Sequence, residues 1–173
     1  MRIFLLFLGL VILAVGGWFI FSNAQQPIRE PTIPSQNKQA TTSPTAADYS
    51  ASFAIFTNGT FRIFTASMYH NLSPDVFIES SNPNIVHVKK AGITWDDFFK
   101  TLPFKLTEEC LTTGTGQTFC TNSNQTLKFY INGELDSNVL DRIINAGDQL
   151  LVSYGSENEA QIQKQLERIP TLN

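Results

Sequence analysis

An α+β fold is predicted for residues 51–173, and three observations predict it. Two extended segments flank Asn58-Gly59; an apolar stripe of helical period runs through Trp95, Phe98, Phe99 and Leu102; and a short unbroken apolar run, QLLVSY, lies at 149–154. Strand, helix and strand signals thus follow one another within a segment of normal size for one domain with one core.

The chain opens Met1-Arg2 and then runs from Ile3 to Phe21 through nineteen residues without a charge. At 1.5 Å rise per residue this is long enough to cross a hydrocarbon core of about 30 Å, so residues 3–21 are read as a transmembrane helix and residues 1–24 as an N-terminal anchor with the lipid bilayer as its partner. A cleaved signal peptide is the competing reading, since Ser22-Asn23-Ala24 places small residues near a cleavage point. The length of the run and Trp18 near its end favour the anchor. Arg2 and the α-amino group precede the span, and the first basic residue after it is Arg29, so the N-terminus is expected in the cytoplasm and the rest of the chain outside it. Residues 25–50 hold prolines at 27, 31, 34 and 44 among many Thr, Ser and Gln, with little to bury, and read as a disordered linker.

The domain begins with SFAIFT (52–57) and TFRIFT (60–65) around Asn58-Gly59, the pair that supplies both left-handed positions of a type I′ hairpin turn. DVFIES (75–80) and IVHVK (85–89) around SNPN predict a second hairpin. The stripe from Trp95 to Leu102 predicts a helix capped by Thr94, with Asp96 and Asp97 at its positive end and Pro103 at its stop. Leu111–Thr113 and Gln117–Phe119 predict a third hairpin with Gly114-Thr115-Gly116 at its tip. LKFYI (127–131) with Asn132-Gly133 is another strand and turn, and QLLVSY is a strand in the centre of the sheet. Ser156 and Glu159 have the spacing of a capping box and predict a last helix with Ile162, Leu166 and Ile169 on one stripe.

Charge narrows the function classes. Residues 51–173 carry nine Lys/Arg against thirteen Asp/Glu, evenly scattered, and the whole chain has a net charge of −3. No basic stripe is present to neutralise phosphates, so nucleic acid is not an expected partner.

The two cysteines, Cys110 and Cys120, are separated by nine residues. A Cys-x-x-Cys spacing would favour a redox pair or a metal knuckle, and a zinc site would need two further ligands nearby. In the predicted hairpin the two become cross-strand neighbours, and an exported location permits oxidation, so a structural disulfide is expected over redox, metal or free-thiol roles.

The run from "IVHVKKAGITWDDFF" through "EECL…FC" to "LKFYINGE" and "GDQLLVSYG" resembles an uncharacterised prokaryotic family of membrane-anchored extracytoplasmic domains, over nearly all of residues 52–155. It also resembles the β-grasp (ubiquitin-like) superfold, which implies a mixed sheet wrapping one helix, here with a C-terminal helix added. The family brings no established activity. The resemblance implies more histidines around the second hairpin than the His70 and His87 present here, so a metal function does not carry over.

His87 is the most tempting catalytic or metal-binding candidate, since its strand could aim it at Asp96 or Asp97. Yet Val86 and Val88 face one way and Ile85, His87 and Lys89 the other, which puts His87 on a partly exposed sheet face against Phe77. His70 reads as a surface loop residue. No nucleophile elbow accompanies either histidine. Asp96-Asp97 is explained by the first turn of a helix, and TGTGQ lacks the Lys and following helix of a phosphate loop. The expectation is therefore a non-catalytic, membrane-tethered extracytoplasmic binding module for an unknown protein or small ligand, with no cofactor. The alternatives are a small-ligand or metal site using His70 and His87, or an enzyme.

Overall fold

The computed structural model describes residues 45–172. The anchor expected over residues 1–24 and most of the expected linker, residues 25–44, lie outside the described residues. Among the described residues no helix is long and apolar enough to cross a membrane.

The first strand, β1 (Ala46–Thr57), starts five residues before the expected domain boundary at 51 and takes in the end of the expected linker. Tyr49 explains the shift: its hydroxyl donates to Ile144 O at 2.8 Å, and burial pushes its phenol above the ordinary value of 10.0. β1 turns through Asn58 (φ 50°) and Gly59 (φ 73°) into β2 (Thr60–Phe61), as the Asn-Gly pair predicts. β2 is only two residues long, because the remainder of that edge of β1 is taken. Arg62 N–H donates to Ile55 O at 2.8 Å as the last rung, while Phe53 exchanges two hydrogen bonds with Asn84, one through the Asn84 side chain.

β3 (Val76–Phe77) and β4 (Ile85–Lys90) form the second hairpin, with Phe77 opposite His87. The expected strand over 75–80 stops after Phe77 because Ile78 O accepts from Asn71 N–H of the preceding loop instead. The helix α1 (Trp95–Thr101) has the predicted Thr94 cap within a reciprocal box. Thr94 Oγ1 accepts from Asp97 N–H, and the Asp97 carboxylate accepts from Thr94 N–H, which holds the Asp97 carboxyl below its ordinary value. Asp96 pairs with Lys100 one turn on.

Three strands, β5 (Lys105–Leu106), β6 (Cys110–Thr112) and β7 (Thr118–Cys120), make a small separate sheet. Then come β8 (Thr126–Ile131), the short β9 (Glu134–Leu135) after Asn132-Gly133, a 3-10 turn at Val139–Asp141, and β10 (Gln149–Gly155). Asp148, almost fully buried before β10, accepts from Asn145 N–H and Asn132 Nδ2 and so fastens that entry. The last helix, α2 (Glu159–Leu166), is capped by Asn158 with Gln161, two residues later than the Ser156–Glu159 box expected. Asn is as good a cap as Ser, and it is Asn158 whose side chain accepts from the Gln161 N–H.

The main sheet runs β3-β4-β1-β10-β8-β9, with β2 also on β1. β1 and β10 are parallel and central; their outer neighbours β4 and β8 are antiparallel to them. The architecture is α+β, a mixed sheet with two helices. The period-2 alternation of β1 decides where the helices go. Ala51, Phe53 and Ile55 face the larger core with Trp95, Phe98 and Phe99 of α1, whereas Ala54 and Phe56 face Ile162 and Ile169 of the C-terminal segment. β10 divides the same way, Leu150 and Val152 to one side and Leu151 to the other, as a central strand covered on both faces must.

Candidate functional site

The sulfurs of Cys110 and Cys120 are bonded, and the two residues are direct cross-strand partners in β6 and β7. The bond holds the base of a hairpin whose tip, Thr113–Gln117, reaches toward the chain leaving α1. It is a staple beside a surface, and the surface is the place of interest.

His87 stacks on Phe77 with ring centroids 5.3 Å apart, lies 3.4 Å from Ser50 Oγ, and has Glu79 as its nearest carboxylate at 4.0 Å. The contact with Asp96 or Asp97 that the sequence allowed is not made. Val86 and Val88 point into the core shared with α1, so His87 points to the opposite face of the sheet from the helix that carries both aspartates. His70 donates through Nε2 to Phe64 O at 2.8 Å and closes the loop after β2. The two histidines share no partner, and the described residues contain no group of three or more His, Cys, Asp or Glu placed to hold a metal ion.

That loop forms one wall of a groove of about 330 Å³; the tip of the β6–β7 hairpin forms the other. Past the last rung at Arg62 the chain still alternates, so Phe64 turns inward and Ile63 outward. Phe64, 5.3 Å from Tyr69 and 5.8 Å from Phe104 between ring centroids, builds the aromatic base. Ile63 and Met68 stand at the rim, 65% and 51% exposed. Gly114 and Thr115 close the far side. Among the described residues, Arg62 is the single charged residue of the lining; its Nε donates to Thr57 Oγ1 at 2.6 Å and its guanidinium sits 5.2 Å from the centre of the Phe119 ring. The groove therefore offers an apolar slot with one fixed positive charge at its edge.

The sequence does not display this groove: FRIFTASMYHNLSP divides into the end of a strand and a loop. The signal that was present is compositional: Met68 and Leu72 are large apolar residues in a stretch with no periodicity to bury them, close behind Ile63 at the end of the predicted strand.

Comparisons of the chain with protein-family models, with curated proteins and with solved structures return no match.

Proposed function

We propose that this chain is a non-catalytic, membrane-tethered extracytoplasmic interaction module with a β-grasp-like fold, and that its partner is a protein segment presenting an apolar side chain next to an acidic one. The groove carries this reading: two half-exposed or more exposed large side chains, Ile63 and Met68, flank an aromatic base beside Arg62. Burying one Ile side chain on a partner contributes about 1.5–3 kcal/mol, a more than tenfold change in affinity. An acidic neighbour on the partner would meet the Arg62 guanidinium in a partly desolvated setting. The fold assignment is supported by the strand order, with a parallel first-and-last pair in the middle and one helix between the second hairpin and β8 on a single face. The tether rests on the apolar run at 3–21 and the proline-rich stretch after it, and the address on the same run together with the bonded cysteine pair.

The test is site-specific photo-cross-linking in cells producing the full chain. A cross-linker at Ile63 or Met68 should capture one discrete protein, and one at Leu135, equally exposed on β9, should not. Ile63→Asp should abolish the product without lowering the amount of folded chain. Equal capture from all three positions would sink the reading.

A further inference from the structure

The chain holds two Asn-Gly pairs, Asn58-Gly59 and Asn132-Gly133, and both close hairpins whose second strand is two residues long. Their main chains agree: φ is 50° and 73° in the first turn, 53° and 86° in the second. Each asparagine donates its backbone N–H to β10, Asn58 to Tyr154 O at 2.7 Å and Asn132 to Gln149 O at 2.9 Å. All four residues are exposed, and a Cβ at either glycine would meet nothing within 4 Å. Two copies of one dipeptide thus sit in one conformation at opposite ends of one strand.

The side chains are held differently. Asn132 Nδ2 donates to Oδ1 of the almost fully buried Asp148 at 3.1 Å, and Asn132 Oδ1 accepts from Gln149 N–H at 2.9 Å, so both ends of its amide are tied to the entry of β10. Asn58 is tied at the oxygen alone. Its Oδ1 accepts from Gln125 Nε2 at 2.5 Å, and its Nδ2 has no partner among the described residues. Gln125 is oriented in turn. Its Oε1 accepts from the Tyr154 hydroxyl at 3.0 Å, and that hydroxyl accepts from Asn122 Nδ2 at 3.3 Å, which leaves the Gln125 amide N–H to point at Asn58.

We propose that Asn58 is a site of spontaneous covalent modification, converting through a succinimide to aspartyl and isoaspartyl forms, and that Asn132 is protected from the same reaction. In the first step Gly59 N, its proton lost to a solvent base, bonds to Asn58 Cγ; the Cγ–Nδ2 bond breaks and Nδ2 leaves as ammonia, taking a proton from water. In the second, water adds to one of the two ring carbonyls and the ring C–N bond breaks there, giving a carboxylate in place of the amide. Water is the co-reactant, and nothing is oxidised or reduced. Glycine suits the attack because no Cβ crowds its nitrogen. Negative charge develops on Oδ1 as the new bond forms, and the Gln125 N–H is already aimed there. Asn132 also has a donor to its oxygen, but its leaving nitrogen is held by a carboxylate, and its product would set a second carboxylate against Asp148. The isoaspartyl product adds a methylene to the main chain inside the turn, next to the Arg62 rung on Ile55. The site does not depend on what the aromatic groove binds.

The experiment ages the full chain in mild detergent and mildly alkaline buffer, folded and in urea. Each Asn-Gly site is read by peptide mass spectrometry, with an isoaspartate methyltransferase marking the isoaspartyl form. In the folded chain Asn58 should convert faster than Asn132 by about tenfold or more, a difference of about 1.4 kcal/mol in barrier. In urea, where neither side chain is held, the two rates should draw together. Equal rates in the folded chain, faster loss of Asn132, an undiminished ratio in urea, or an Asn58 that stays intact in the folded chain while both sites convert fully in urea overturns the proposal. Gln125→Leu should slow Asn58 severalfold and leave Asn132 unchanged; an unchanged Asn58 rate refutes the role given to Gln125. The two sites of the parent chain decide the proposal whether or not that variant folds.

Discussion

The carbonyl oxygen of Pro103 lies 2.7 Å from the point that a Cβ on residue 114 would occupy, so Gly114 is where the stapled hairpin is allowed to touch the chain leaving α1. The obstacle is backbone and cannot swing aside as the end of a side chain can. Gly114→Ala should therefore destabilise the domain by about 1–3 kcal/mol, the range for overpacking, and widen the aromatic groove. Thr115→Ala, at an exposed neighbouring position, should stay within about 0.5 kcal/mol. Urea denaturation of both variants checks this, and equal midpoints would refute it.

Replacing Cys110 and Cys120 by Ser should cost about 3 kcal/mol, because the bond closes a loop of roughly eleven residues in the unfolded chain. Thiol titration of denatured, unreduced protein should find none free. The same variant should lose groove-dependent cross-linking at Met68 before it loses its secondary structure, since the staple holds one wall.

Thr94→Ala should cost about 1 kcal/mol through loss of the α1 cap. Asp97 adds a pH dependence whose sign is fixed by its lowered value: the folded carboxyl titrates below the unfolded one, so its contribution is complete above the ordinary value of 3.8 and is lost as pH falls through the folded value. Asp97→Asn should flatten the acid limb of the stability profile in that window. A profile parallel to the parent's below pH 3.8 would show that the carboxylate is not engaged as described.

His87→Ala removes one cross-strand pair with Phe77 and should cost about 0.2–1 kcal/mol. His70→Ala removes a hydrogen bond to Phe64 O and should cost about 1 kcal/mol. With no shared partner the two should add to within about 0.5 kcal/mol. Calorimetry with Zn²⁺ should give no stoichiometric binding to the parent or to the double variant. Tight binding by the parent that the double variant lacks would restore the metal reading.

Elements set by local chemistry were legible in the sequence. The Asn58-Gly59 turn, the Thr94 cap, the Trp95–Leu102 stripe and the Cys110–Cys120 pairing each depend on residues no more than ten positions apart, and each stands where its pattern put it. What failed depended on competition between distant segments. TFRIFT loses its strand after Phe61 because Asn84 holds the adjoining edge of β1, and Ala46–Ser50 joins the sheet because β4 offers it an edge. Gly114 shows the same limit at the site. It reads as a turn residue, yet the positive φ at that tip belongs to Gly116, and Gly114 is required by a carbonyl that only the tertiary fold brings near. Without that contact in view, the groove between hairpin and loop had no sequence signature beyond Ile63 at a strand end and two apolar residues, Met68 and Leu72, without a period.

The parallel pairing of β1 with β10 has a consequence for how the molecule is made. Phe53 lies beside Leu150, and the strand between β1 and β8 is, among the described residues, the last of the sheet in chain order. Until Gly155 has left the ribosome the central gap of the sheet is open, and β1 and β8 each present an unpaired backbone edge flanked by Phe53, Phe56 and Phe129. The central sheet cannot close until β10 has emerged, and until then the two open edges are templates for pairing with other chains.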